Sequence, residues 1–181
     1  MDVNDPDLIV ALDAARDAVR IIRGAWNTEL SVERKGAIDL VTEVDHAAES
    51  AIVDRLRAVY PDDTIIGEEG GAHQGSSARR WYIDPLDGTT NFSHGFPHFC
   101  TSIGLWTDGR PTAAVIAEPM RDWYFTAVAG HGAFLNGRRL NVSKTATLGD
   151  ALLATGFPYD RWTNPDNNSH RLAHILRLAQ G

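Results

Sequence analysis

The chain has 181 residues, of which 43% are apolar and 23% charged, a balance that reads as globular and excludes a disordered polyelectrolyte. Its net charge of −7 argues against nonspecific binding to nucleic acid or anionic membrane, but not against a small anion held through a cation. A single cysteine, Cys100, excludes an internal disulfide and suits a reducing cytoplasm, where it reads as a buried structural thiol.

From the N-terminus, Met1 to Asp5 carries neither the basic nor the apolar region of a signal peptide, and no apolar run is long enough to span a bilayer. Leu8, Leu12, Ala15, Val19, Ile22 and Trp26 recur at steps of three and four, predicting an amphipathic helix with Pro6 in its first turn and Gly24 near its end. An approach over 39–44 leads to a second helix with Ala48, Ile52, Leu56 and Val59 on one face, where Thr42 and Asp45 fit a Thr-x-x-Asp cap. Thr64-Ile65-Ile66 reads as a strand, and Glu68, in Gly67-Glu68-Glu69-Gly70, lies at its end.

The stretch from Trp81 to Phe92 is the most informative. Arg80-Trp81-Tyr82-Ile83 predicts a strand with Asp84 at its C-terminal end, and Pro85 biases Asp84 towards extended geometry. A turn through Leu86 would leave the Leu86 carbonyl unpaired and its side chain packed, while Gly88 permits a positive φ. Thr89 and Thr90 open a helix whose free N–H groups favour phosphate, flanked by Asp84 and Asp87. Two strand ends then bring Glu68, Asp84 and Asp87 together, a carboxylate set suited to hard cations of the magnesium type. Each piece has a plainer reading: Asp-Pro-x-Asp-Gly as a bare turn, and Glu68-Glu69 as a solvated loop. His94 and His98 are four apart in a Gly/Pro-rich loop without the helical context that such a spacing needs, and His131 lies between two glycines as a turn residue.

Beyond residue 99 the pattern changes to strands. Phe99–Trp106 and Pro111–Glu118 flank Asp108-Gly109; Trp123–Ala129 follows; Ala133–Leu135 and Arg138–Leu140 flank Asn136-Gly137. These predict an antiparallel sheet with helices packed on it. Val142–Asp150 reads as a linker into a new strand, Ala151–Thr155, and Leu172, Ile175, Leu176 and Ala179 as a short helix.

The run Asp84 to Phe92, preceded by Gly67 to Glu69, by Lys35 and by Thr42-Glu43-Val44-Asp45, resembles the inositol monophosphatase family of lithium-sensitive, magnesium-dependent phosphatases. The likeness continues through Phe96-Pro97, Ser102-Ile103-Gly104, Gly132-Ala133-Phe134, Asn136-Gly137 and Thr155-Gly156-Phe157. It implies an α+β layered sugar-phosphatase fold, with a metal-binding α+β domain over 1–146 and the start of a second α/β domain over 147–181. It further implies that Glu68, Asp84, Asp87 and the Leu86 carbonyl hold Mg2+, and that Asp45 supports a weaker ion through water. Glu68 and Thr89 would position the attacking water, Leu86, Asp87, Gly88 and Thr89 would cradle the phosphate, and Lys35 would stand near the metals.

The implied activity is hydrolysis of inositol monophosphate or a similar small polyol phosphate by a cytoplasmic homodimer. Histidinol phosphate, fructose 1,6-bisphosphate and a 3′-phosphoadenosine nucleotide are alternative substrates. The family's second signature, a Trp-Asp followed by small residues, is absent, which implies a C-terminally truncated chain with one metal site incomplete. A catalytically dead binding module, prone to self-association through an unpaired 151–155 edge, is the alternative in kind. A bacterial family member has been linked to the transcription and RNA machinery; the acidic charge of this chain predicts no nucleic-acid partner.

Overall fold

The structure, a computed structural model, describes residues 4–26, 32–35, 39–68 and 70–179, with only the backbone of 32–35 and 39–42. The chain divides into two compact units, Met1–Leu140 and Asn141–Gly181. No helix among the described residues is long and apolar enough to cross a membrane.

The first unit is a helical layer on a mixed sheet, an α+β architecture. Helix α1 (Pro6–Ala25) begins where the Asp5 side chain accepts the Leu8 N–H at 2.9 Å, with Pro6 inside the first turn. Its buried face is Leu8, Ala11, Ala14, Ala15, Ala18, Val19 and Ile22, and the alanines let α2 (Glu43–Val59) approach closely. On α2 the buried set is Val44, Asp45, Ala48, Glu49, Ile52, Val53 and Leu56. Val59, expected on that face, is half exposed; Tyr60, one residue on, stacks on Trp81 at 5.8 Å and covers that end of the sheet.

Strands β1 (Val32–Lys35) and β2 (Asp39–Thr42) form a separate antiparallel hairpin that the apolar pattern did not announce. The main sheet holds β3 (Thr64–Gly67), β4 (Ala72–His73), β5 (Arg79–Asp87), β6 (Cys100–Thr107), β7 (Arg110–Glu118), β8 (Trp123–Val128), β9 (Gly132–Leu135) and β10 (Arg138–Arg139). Their order is β10-β9-β8-β7-β6-β5-β3-β4. Every neighbouring pair is antiparallel except β3 and β5, so the expected antiparallel sheet is in fact mixed. The reason is local: β4 returns the chain along one side of β3, and β5 then runs in the direction of β3 on its other side.

Period-two alternation sends Trp81, Ile83, Ile103, Leu105, Ala113, Val115 and Ala117 into the core, where α1 and α2 cover them. Tyr82, Trp106, Ile116 and Trp123 remain partly exposed. Both expected two-residue turns form with left-handed backbone, Asp108 and Gly109 at φ 52° and 75°, Asn136 and Gly137 at φ 46° and 82°. At the end of α1, Trp26 meets Phe99 at 4.8 Å and Phe92 at 5.5 Å between ring centroids, tying the helix to the segment after β5.

The second unit contains a 3-10 turn at Leu148–Asp150 and helix α4 (Ser169–Ile175). The strand expected over Ala151–Thr155 does not form, and Leu152 is largely exposed. Among the described residues no other segment of this unit pairs with it, and a lone strand has no partners for its N–H and C=O groups. The self-association argued from that edge loses its basis.

Candidate metal and phosphate site

The pairing of β3 with β5 sets the site. In the parallel ladder Gly67 lies opposite Ile83, so the next residues, Glu68 and Asp84, leave the ladder side by side. On the other edge of β5, Asp84 pairs with Ser102 and Asp87 with Cys100, and the register shifts by one residue between them. Residues three apart on a regular strand point to opposite faces; the extra residue places Asp84 and Asp87 two register positions apart on β6, hence on one face. The strand was expected to stop at Asp84, but it runs on through Pro85 to Asp87 because this bulge absorbs the proline. The buried Thr101 hydroxyl donates to the Pro85 carbonyl at 2.8 Å and fixes the kink.

The electrostatics follow from this convergence. Asp84 is half-buried, and its Oδ1 is enclosed without a hydrogen-bond partner. Loss of solvent, then the charges of Glu68 and Asp87, push the Asp84 carboxyl up to about 7, although the Leu86 N–H opposes the shift. Glu68 and Asp87 are exposed. Asp87 Oδ2 lies 3.7 Å from the Cys100 thiol, which burial and the Asp87 and Asp84 charges push up to about 12. Cys100 is thus half-buried beside the carboxylates rather than sealed in the core.

Leu86 packs its side chain in the core at 1% exposure, as expected, but its carbonyl is not unpaired: the Thr89 hydroxyl donates to it at 3.0 Å. Gly88 adopts φ +96°, and a Cβ there would stand 3.0 Å from the His98 carbonyl. Helix α3 (Thr89–Ser93) follows directly and is short, five residues, with Phe92 as its buried anchor. A cleft of about 350 Å3 opens beside Asp87 and Gly88, with Asn91, His98, Arg121 and Trp123 among its walls.

Asp45 lies in the first turn of α2 at 2% exposure. His94 Nδ1 faces the Thr90 carbonyl at 2.8 Å, and the His98 carbonyl accepts from Asn91 at 2.7 Å, which assigns both segments to loop structure. His131 occupies the turn between Gly130 and Gly132. The Lys35 and Thr42 side chains and the whole of Glu69 lie outside the described residues.

Sequence reasoning missed Glu49, a carboxylate at 5% exposure one helical turn after Asp45, which accepts the Gly70 N–H at 2.5 Å. The signal was present: an acid four residues from another acid, on a helix face otherwise made of Ala48, Ile52 and Leu56.

Among the described residues no three His, Cys, Asp or Glu side chains are drawn close enough to hold a metal ion as they stand. The chemistry of the donors nevertheless fits a hard cation. They are all oxygens, one of them is buried without a partner, and burial, then the charges of Glu68 and Asp87, raise the Asp84 carboxyl, a penalty that a positive ion would reverse.

The model of the inositol monophosphatase family matches residues 3–180. The chain belongs to that family. This family member is 52% identical over 178 residues to the Nus factor SuhB of Pseudomonas aeruginosa, covering 96% of this chain and 64% of that protein. It is 47% identical over 152 residues to inositol monophosphatase 3 of Solanum lycopersicum, covering 82% of this chain and 57% of that one. The crystal structure of the extragenic suppressor protein suhB from Bartonella henselae superposes with a TM-score of 0.91 at 36% identity, covering 98% of this chain and 69% of that chain. The chain therefore spans less than two thirds of the length of these curated relatives.

Proposed function

We propose that this chain carries the metal- and phosphate-binding part of a magnesium-dependent phosphomonoesterase acting on inositol monophosphate or a similar small polyol phosphate. The observation that carries the reading is Asp84: its enclosed Oδ1 has no partner, it shares one face of a bulged strand with Asp87, and the charges of Glu68 and Asp87 both act on it. Glu68, Asp84, Asp87 and the second lone pair of the Leu86 carbonyl would hold Mg2+, with Asp45 supporting a further ion through water. When bound, the metal supplies a polarised phosphoryl group and a water of lowered pKa.

The chain's own residues supply orientation. The Thr89 hydroxyl spends its only proton on the Leu86 carbonyl, so its oxygen is left to accept from a water. Glu68, at the open end of β3, would join Thr89 in positioning that water. Gly88 and Thr89 offer backbone N–H groups at the start of α3 to a phosphate, with Leu86 and Asp87 completing the cradle. Lys35 would add positive charge near the ester. Attack by water in line with the leaving alkoxide forms no covalent intermediate with the protein. Histidinol phosphate, fructose 1,6-bisphosphate and a 3′-phosphoadenosine nucleotide are the competing substrates, and a cytoplasmic homodimer is the proposed working form.

The test is phosphate release from myo-inositol 1-phosphate by this chain, with and without magnesium and lithium. Turnover that needs magnesium, falls with lithium and is mostly lost in Asp87→Asn is the expected outcome. Near-normal rates in Asp87→Asn would overturn the assignment. A second reading, a binding module rather than a catalyst, is favoured by one observation, the 52% identity to a Nus factor. A folded chain that binds metal but turns over none of the phosphate panel would support it.

A further inference from the structure

We infer that Glu49 is the positioning residue of the site: its buried carboxylate is the post around which the 67–70 loop closes, and it thereby sets where Glu68 stands against Asp84. The inference rests on the metal-site reading above.

Three observations on α2 and the loop support it. Glu49 is 5% exposed on α2, and its Oε1 accepts the Gly70 N–H at 2.5 Å. A Cβ on Gly67 would lie 2.5 Å from Glu49 Oε2, and a Cβ on Gly70 would collide with Glu49 Oε1, so both glycines at the ends of the Glu68-containing loop press their Cα atoms against the same carboxylate. The loop is closed on the far side by the Gly67 N–H, which donates to the Gly71 carbonyl at 3.0 Å.

Only glycine lets a backbone come this near a carboxylate at both places. A carboxylate is costly to bury unless N–H donors meet it, and here the donor is the loop's own backbone. Glu49 touches the loop and not the reacting atoms, so it acts through Glu68. Its place on a 17-residue helix buried along its length transmits the rigidity of the helical layer to an otherwise exposed turn.

The test compares the full chain with Glu49→Ala and Glu49→Gln. Two readouts are used: Mn2+ affinity by electron paramagnetic resonance, and amide exchange at Gly70 by NMR. Loss of a buried charge-assisted hydrogen bond predicts about a tenfold faster exchange at Gly70 in Glu49→Ala, confined to 67–71, with the α2 and β5 amides protected as before. Mn2+ affinity should fall about tenfold as well. Glu49→Gln keeps an oxygen acceptor of the same reach and should restore both. Unchanged exchange at Gly70 in Glu49→Ala overturns the positioning role. If the unmutated chain binds no Mn2+, the metal-site reading fails instead, and the exchange measurement still decides whether Glu49 holds the loop. Faster exchange spread over α2 and β5 would mean a general packing role and would also overturn it.

Discussion

Gly88 offers the sharpest test of how the site is built. It stands between Asp87 and Thr89 at φ +96°, with the His98 carbonyl 3.0 Å and the Phe99 Cα and Cβ both 3.2 Å from where a Cβ would be. Gly109 is the natural control, at φ +75° in an open turn with nothing within 4 Å. Alanine at either place meets the left-handed backbone penalty of about 1–2 kcal/mol. A less flexible unfolded chain returns about 0.4–1 kcal/mol of that. The remainder, about 1 kcal/mol, is the whole expected cost at Gly109. At Gly88 the new methyl also presses on main chain, which no side-chain rotation can relieve, and overpacking of this kind adds about 1–3 kcal/mol. Gly88→Ala should therefore lose about 2–4 kcal/mol, roughly 2 more than Gly109→Ala. Urea unfolding of both variants beside the parent chain measures the difference. Equal costs, or a Gly88 variant as stable as the parent, would refute the claim that the site's turn is held by close backbone approach.

Two further outcomes concern the anchor of β5, the strand that carries Asp84 and Asp87. Asp63 accepts from Arg79 Nε at 2.8 Å, Trp81 Nε1 at 2.9 Å and the Ser77 hydroxyl at 2.8 Å, so Asp63→Ala, which strands the fully buried indole N–H, should cost about 3–5 kcal/mol in urea unfolding, against under 1 if the network is incidental. Arg79 also grips Asp7 with both terminal nitrogens; burial alone would raise the Asp7 carboxyl, but the hydrogen bonds from Arg79 and Tyr60 outweigh it and hold the group below its ordinary 3.8. The contribution of this pair is therefore complete above pH 3.8 and drains away as pH falls through the lower folded-state value; unfolding midpoints taken across that window should drop less steeply in Asp7→Asn, and parallel profiles would refute the coupling.

What could be read from the residues alone divides by the range of the interaction. Helix α1 was legible because Leu8, Ala15, Val19 and Ile22 repeat at helical spacing, and the two hairpins because Asp108-Gly109 and Asn136-Gly137 specify their turns within two residues. The bulge in β5 was not, because Pro85 reads locally as a stop, and only pairing with β6 shows the strand carrying on past it. The parallel union of β3 with β5 was hidden for the same reason: it depends on where β4 sends the chain. Ala151–Thr155 misled in the opposite sense, since an apolar run is a strand only if something pairs with it. Of the site, the carboxylates announced themselves by type and spacing, whereas Glu49 was masked by lying on a helix whose face it appeared merely to interrupt.

The placement of the acids explains why the fold around them is so firmly tied. Burial, then the charges of Glu68 and Asp87, raise the Asp84 carboxyl, and the repulsion among like charges favours opening the loop after β3 and straightening the β5 bulge. Each of those movements is blocked by a group that takes no part in the cluster. The Thr101 hydroxyl holds the Pro85 carbonyl, the Thr89 hydroxyl holds the Leu86 carbonyl, and Trp26 wedges Phe92 and Phe99 against the end of α1. Glu49 closes the loop from below. These ties limit how far the acids can spread, but no three of the described side chains stand close enough to hold an ion as they are, so part of an ion's binding energy would go into drawing them together. The same arrangement would reconcile an acidic chain with an anion as its proposed substrate, since a bound cation would attract both negative partners.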